Sequence, residues 1–156
     1  MENEKKKPLK RSPSLVAFSR EHHHSLLLCW KIRMAFRNGI DVNRIKKYSD
    51  WFYKTHMISH FEVEEEYIFS VLGRDDELVK QAMTEHRRLK RLFEDTTDPE
   101  KSLSLIEEEL EKHIRFEERA LFQKVQQIAS PEQLETIKEH HRGLDFVENE
   151  TDVFWK

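Results

Sequence analysis

A ten-residue pattern is written twice in this chain. His60-Phe61-Glu62-Val63-Glu64-Glu65-Glu66-Tyr67-Ile68-Phe69 is answered, 53 residues on, by His113-Ile114-Arg115-Phe116-Glu117-Glu118-Arg119-Ala120-Leu121-Phe122. Each copy has a histidine, carboxylates four and five residues later, an aliphatic at the ninth position and Phe at the tenth. On an α-helix, residues four apart share a face about one turn apart, ~6 Å along the axis, so each copy can aim an imidazole and a carboxylate at one point. Those are the donors of a metal site. Two copies facing each other could bracket a pair of ions. A second echo, Glu21-His22 and Glu85-His86, is followed at matching offsets by Leu28 and Leu92, and brings the histidines to four, on four segments.

The composition supplies helices to carry them. The chain has 156 residues, enough for a single domain with a real core, and combines three Gly and four Pro with 37% charged residues. Residues 1–13 hold Pro8, Pro13 and the basic run Lys5-Lys6-Lys7 with Lys10 and Arg11, and are expected to be an unstructured lead before a domain over 14–150. A first helix is expected from Ser14 to Arg37, stopped at Asn38-Gly39. A second, capped by Asp41 or Asn43, reaches Leu72-Gly73, and a third runs from Asp75 or Asp76 to the 95–98 region. Pro99 opens a fourth, ending near Ala129, and Ser130-Pro131-Glu132 starts a shorter fifth, ending near Glu148. Short connections favour antiparallel neighbours, so the expected fold is all-α, an up-down-up-down antiparallel four-helix bundle with a short additional C-terminal helix.

Periodicity tests where the histidines and glutamates point. Phe18, His22, Leu26, Cys29, Ile32 and Phe36 form one stripe; Phe52, His56, His60, Glu64 and Ile68 form the second. Val79, Ala82, His86, Leu89 and Phe93, then Ile106, Leu110, His113, Glu117 and Leu121, complete the set. All lie at helical spacing, so the four histidines and two glutamates face inward. Burying two carboxylates costs several kcal/mol and sets them repelling each other unless positive charge is supplied. The metal ligands read from the chain are therefore His22, His60, Glu64, His86, His113 and Glu117. His23 and His24 rival His22; His56 is a further ligand, a channel residue or helix-end packing; His140 and His141 face solvent or the bundle end. Glu21 and Glu85 are candidates to orient neighbouring groups, Glu65 and Glu118 either to support the imidazoles or to face solvent, with pairings left open, while Phe69, Phe93, Phe122 and Trp30 read as core.

The order His, HxxxE, His, HxxxE on successive helices resembles the hemerythrin-like (HHE cation-binding) domains, over roughly residues 14–129. That resemblance implies a cofactor of two iron ions with a bridging oxo or hydroxo group, manganese or zinc being less favoured. It implies that Glu64 and Glu117 span both ions, with His22 and His60 on one and His86 and His113 on the other. The chain departs from the oxygen-carrying members at Lys90, where they have a further histidine, and in using HxxxE where they use HxxxxD, so the implied centre is one histidine short: either a coordination position is left to solvent or a small ligand, or another histidine fills it.

The function expected is binding of a small diatomic ligand, dioxygen or nitric oxide, for sensing, scavenging or delivery. The alternatives are a di-iron enzyme that reduces nitric oxide or peroxide or repairs iron–sulfur clusters, an iron store, or a metal-free interaction bundle. A net charge of −3 with both signs interspersed gives no pull toward nucleic acid or an anionic membrane. The single Cys29 and the lack of an apolar leader or 18-residue apolar run point to the cytoplasm.

Overall fold

The computed structural model describes residues 11–140 and 146–156. The lysines of the basic lead and His141 lie outside them. Among the described residues there are five helices and no strand, and no helix is long and apolar enough to cross a membrane.

Helix α1 spans Pro13–Arg37, one residue into the expected lead, because Ser12 Oγ accepts from the Ser14 N–H and Pro13 suits a first helical position. It ends where Gly39 takes a φ of 67° and Ile40 N–H bonds back to Ala35 O at 2.9 Å, a left-handed terminator that needs glycine. Helix α2 covers 42–72, capped by the Asp41 carboxylate and closed at Gly73. Helix α3 is Glu77–Glu94, with the Asp76 carboxylate on the N–H groups of Leu78 and Val79. Helix α4 covers 99–128, starting on Asp98 and Pro99, and α5 is Pro131–His140. The fifth helix therefore does not reach Glu148: Phe146 onward is a segment without regular secondary structure, packed on the other helices.

Helices α2 and α4 are not uniform. Their α-helical hydrogen bonding widens to one π-turn at Tyr53–Met57, another at Glu64–Ile68 and a third at Glu117–Leu121, where the N–H groups of Ile58, Phe69 and Phe122 reach back five residues to Tyr53, Glu64 and Glu117. The stripe Phe52, His56, His60, Glu64, Ile68 shows why. Steps of four overshoot a 3.6-residue turn by about 40° each, so four steps would carry Ile68 about 160° away from Phe52. A π-turn absorbs one residue, about 100° of rotation, and two of them bring the ends back to within about 40°. Phe52, His60, Glu64 and Ile68 are all buried as a result, and His56 is half-buried.

Two apolar clusters form the interior. One gathers Leu28, Cys29, Ile32, Phe52, Phe61, Leu89, Phe93, Leu103, Ile106 and Leu110; the other gathers Leu15, Phe18, Ile68, Phe69, Val79, Ala82, Leu121, Phe122, Val125 and Ile137. Along α1 the chain leaves the second cluster, passes His22 and enters the first; along α2 the order reverses around His60 and Glu64, and α3 and α4 repeat the alternation. The polar residues thus occupy a layer between two dry ends. Trp30 departs from its expected place: it is 42% exposed, because it follows Cys29 by about 100° around α1 and so leaves the buried stripe. Leu26 and Phe36 are only half-buried, with Ser25 and Leu28 taking the inner face.

Packing continues past residue 150. Phe154 is buried against Tyr48, and Asp152 pairs with Arg44 at 2.7 Å. Truncating Leu110 to Ala in the first cluster should cost about 2–5 kcal/mol through lost burial and an unfilled cavity. Urea unfolding measures this, and a loss below about 1 kcal/mol would contradict the assignment of this cluster as core.

Candidate metal centre

The structure brings all six sequence-derived ligands into one buried layer. Glu64 and Glu117 are fully inaccessible, and His22, His60, His86 and His113 are buried with them. Each histidine presents Nε2 to the carboxylates. Glu64 Oε2 lies 2.9 Å from His60 Nε2 and 3.3 Å from His22 Nε2, while its Oε1 lies 3.1 Å from His86 Nε2. Glu117 is arranged in the opposite sense, with Oε1 at 3.0 Å from His22 and Oε2 at 3.1 Å from His113 and 3.5 Å from His86. Two donor groups result, His22/His60/Glu64/Glu117 and Glu64/His86/His113/Glu117, and both carboxylates belong to both.

The inward atoms satisfy one another poorly. All four Nε2 atoms and all four carboxylate oxygens of Glu64 and Glu117 lack a hydrogen-bond partner, although they are 2.9–3.5 Å apart. They converge on the spaces between them instead of pointing at each other. Neighbouring donors around an octahedral ion with ~2.1 Å bonds stand about 3 Å apart, so the spacing fits ligands sharing a cation. Eight unpaired polar atoms in a dry interior would otherwise carry a large desolvation cost. The residues fit metal ions.

The outward nitrogen of every imidazole is held by another glutamate. His60 Nδ1 lies 2.5 Å from Glu21, His86 Nδ1 2.7 Å from Glu65, His113 Nδ1 2.7 Å from Glu85 and His22 Nδ1 2.6 Å from Glu118. An ionised carboxylate only accepts, so each Nδ1 carries the proton, leaving the Nε2 lone pair for an ion. The pairing runs α1 to α2, α2 to α3, α3 to α4 and α4 back to α1, a closed ring of contacts. Each orienting glutamate is adjacent in sequence to a ligand, since Glu21 precedes His22, Glu65 follows Glu64, Glu85 precedes His86 and Glu118 follows Glu117. One helical step, about 100°, separates the inward ligand from the glutamate that faces the neighbouring helix, whichever of the two comes first. Adjacency was the signal in the sequence; which helix each glutamate would serve was not visible there.

The Glu118 end of the ring is braced further. Its carboxylate takes hydrogen bonds from Ser19 Oγ at 2.9 Å and from Arg11 at 2.8 Å. Neither residue carried a sequence signal. Phe61 stacks on His86 with centroids 3.9 Å apart, and Phe122 stacks on His22 at 5.3 Å, so the imidazole planes are fixed by rings as well as by carboxylates.

The other histidines among the described residues stay outside both donor groups. His23 is exposed, His24 stacks on Phe146, His56 packs among Trp51, Phe52 and Phe146, and His140 stacks on Tyr67. Lys90 sits near Glu65 at 3.8 Å with its side chain 36% exposed, so it adds no inward donor. Comparison with protein-family models, curated proteins and solved structures gives no match to this chain.

The electrostatics follow from crowding two carboxylates with four imidazoles. Burial disfavours the charged form of His60, but the Glu64 carboxylate and the bond to Glu21 overcome it and raise the pKa to about 9. His22 and His86 are pushed well above their ordinary value and His113 above it, all against burial and all by the glutamates around them. Burial pushes Glu64 and Glu117 the other way, toward the neutral acid, yet the histidines hold both below the usual carboxylate range. In metal-free protein, protons on the imidazoles supply the positive charge that the carboxylates need. The histidine contribution to stability is then complete below the ordinary pKa of 6.5 and is lost as pH rises through about 9 for His60. Metal binding requires neutral imidazoles and is favoured by the same rise. Metal-free protein should therefore melt at a lower temperature at pH 9 than at pH 6.5, and the gain in melting temperature on metal loading should widen across that interval. Calorimetry on both forms checks this, and a gap that stays constant or narrows with pH would refute it.

Proposed function

We propose that this chain is a hemerythrin-like, non-haem di-iron protein, built as an up-down-up-down antiparallel four-helix bundle, that binds a small diatomic ligand, dioxygen or nitric oxide. The observation that carries the reading is the division of both buried carboxylates, one oxygen toward His22 and His60 and the other toward His86 and His113. A single cation needs no such doubling. Support for the bundle comes from the alternating order of the two apolar clusters along successive helices and from the closed ring of glutamate–imidazole pairs.

Each donor group offers two imidazole nitrogens and two carboxylate oxygens. That set suits iron, with manganese and zinc sharing the ligand types. Thiolate is excluded from the centre because Cys29 lies in the first apolar cluster with its thiol pushed up to about 12 by burial. Six-coordinate ions would keep about two positions each for solvent or a small ligand. A bound iron pair supplies the redox change and the open positions that hold such a ligand. The residues supply the rest: Glu64 and Glu117 offset the ionic charge, Glu21, Glu65, Glu85 and Glu118 fix the imidazole tautomers, and the stacked Phe61 and Phe122 keep bulk water from His86 and His22. Among the described residues none in the layer stands as a nucleophile or general acid beyond these, so any turnover would rest on the open metal positions themselves.

Elemental analysis of the purified protein is expected to find two irons per chain, with absorption bands in the oxidised form that shift on adding azide. His60→Ala and Glu117→Ala should each lose most of the metal and melt at a lower temperature than the loaded parent. Iron absent from the parent, or metal content unchanged in both variants, would overturn the reading; turnover of nitric oxide or peroxide faster than by free iron would replace binding with catalysis. Replacing an orienting residue, Glu85→Ala, should weaken metal affinity about 10–100-fold while leaving the ligands in place, as measured by competition with a chelator.

A further inference from the structure

Two crevices approach the polar layer from outside, and they are related by the duplicated pattern. One lies between α3 and α4 at the Glu85–His113 pair, and its walls are charged: the Arg88–Glu109 ion pair and Lys112. The other lies between α1 and α2 at the Glu21–His60 pair, and its walls are the His24 and His56 rings with Ser25, Phe52 and Met57. Its cavity is small, about 20 Å³, room for one water-sized molecule.

What separates the two is a roof. Phe146 lies over the α1–α2 cavity, stacked on His24 with centroids 4.2 Å apart and planes 12° from parallel, and 4.6 Å from the His56 ring. Phe146 belongs to the non-helical segment after α5, and that segment is fastened two residues further on. The Glu148 carboxylate bonds Lys31 Nζ and the Tyr48 hydroxyl, each at 2.5 Å. Lys31 is only 5% exposed and sits 3.9 Å over the Trp155 ring, so the latch is held from both sides of Phe146's anchor. A buried ammonium so placed needs Glu148 as its counter-charge, which fixes where Phe146 rests.

We propose, on the di-iron reading above, that the α1–α2 cavity is the port by which a small neutral ligand reaches the His22–His60 side of the centre, and that Phe146 sets the size it admits. Walls without fixed charge beyond the Glu21–His60 pair favour an uncharged diatomic over ions, whereas Arg88, Glu109 and Lys112 in the α3–α4 crevice favour water and ions. A ring held by stacking and by a latch outside the cavity can swing aside without disturbing the ligands, because the rings it packs on, His24, Trp51, Phe52 and His56, lie outside both donor groups.

The test uses the full-length protein with Phe146→Ala and, as a milder variant that keeps the ring, Glu148→Gln. In metal-free protein, solvent exchange of the His60 Nδ1 proton, followed by NMR, should speed up about tenfold in Phe146→Ala, the scale of a lost stacked contact, and less in Glu148→Gln, while His113 is unchanged. In ferrous-loaded protein, association of tert-butyl isocyanide should accelerate far more than that of nitric oxide in Phe146→Ala. Unchanged His60 exchange in both variants would overturn the cap, whatever metal is bound. Faster exchange with unchanged isocyanide and nitric oxide rates would overturn the port. Failure to load iron would sink the di-iron reading instead, and the exchange measurement would still decide whether Phe146 closes the cavity.

Discussion

Two carboxylates facing each other in a dry interior are the constraint on which the rest depends. Glu64 and Glu117 are fully buried, repel each other and have no hydrogen-bond donor aligned on any of their four oxygens. Such an arrangement is stable only with positive charge between or around them. Protons on four imidazoles supply it without metal, and a pair of cations would supply it with metal. The neighbouring glutamates then act on the imidazoles from behind, so that negative charge on the outside balances positive charge in the middle layer. The site is a stack of alternating charge between two apolar ends.

That stack imposes demands on the backbone. A histidine and a glutamate four apart must both face the centre while the helix continues into an apolar cluster on each side. A uniform α-helix cannot hold so long a run of fourfold spacing on one face. The π-turns at Glu64–Ile68 and Glu117–Leu121 begin at the inward glutamates themselves; the first returns Ile68 to the interior, and Leu121 is buried after the second. Local distortion is therefore the consequence of placing polar chemistry and core residues on one stripe, in keeping with the frequency of π-bulges at functional sites.

The C-terminal segment shows how a surface element becomes tied to the interior. Lys31, buried on α1, draws Glu148 and Tyr48 together, and Trp155 covers it. The same segment carries Phe146 and buries Phe154 in the first cluster. One ionic cluster thus positions a residue over the α1–α2 cavity while adding apolar cover to the core.

Much of this was legible from residue order because helical periodicity converts spacing into direction. The all-α class, the caps at Asp41 and Asp76, the helix start at Pro99, the stop at Gly39 and the inward placement of His22, His60, Glu64, His86, His113 and Glu117 all follow from local rules that act within a few residues. Other features require distances between helices, which no spacing along one helix encodes. Only the tertiary structure decided that Glu21 serves His60 and Glu118 serves His22, that Arg11 and Ser19 brace Glu118, and that Phe146 returns from beyond α5 to lie on His24. Trp30 and the extent of the fifth helix belong there too: an apolar ring on a helix flank is buried only if a neighbour covers it, and the segment from Phe146 gives up helix for contacts with Lys31 and Tyr48. Sequence set the direction of each side chain from its own helix; the packing of helices against one another decided which groups meet.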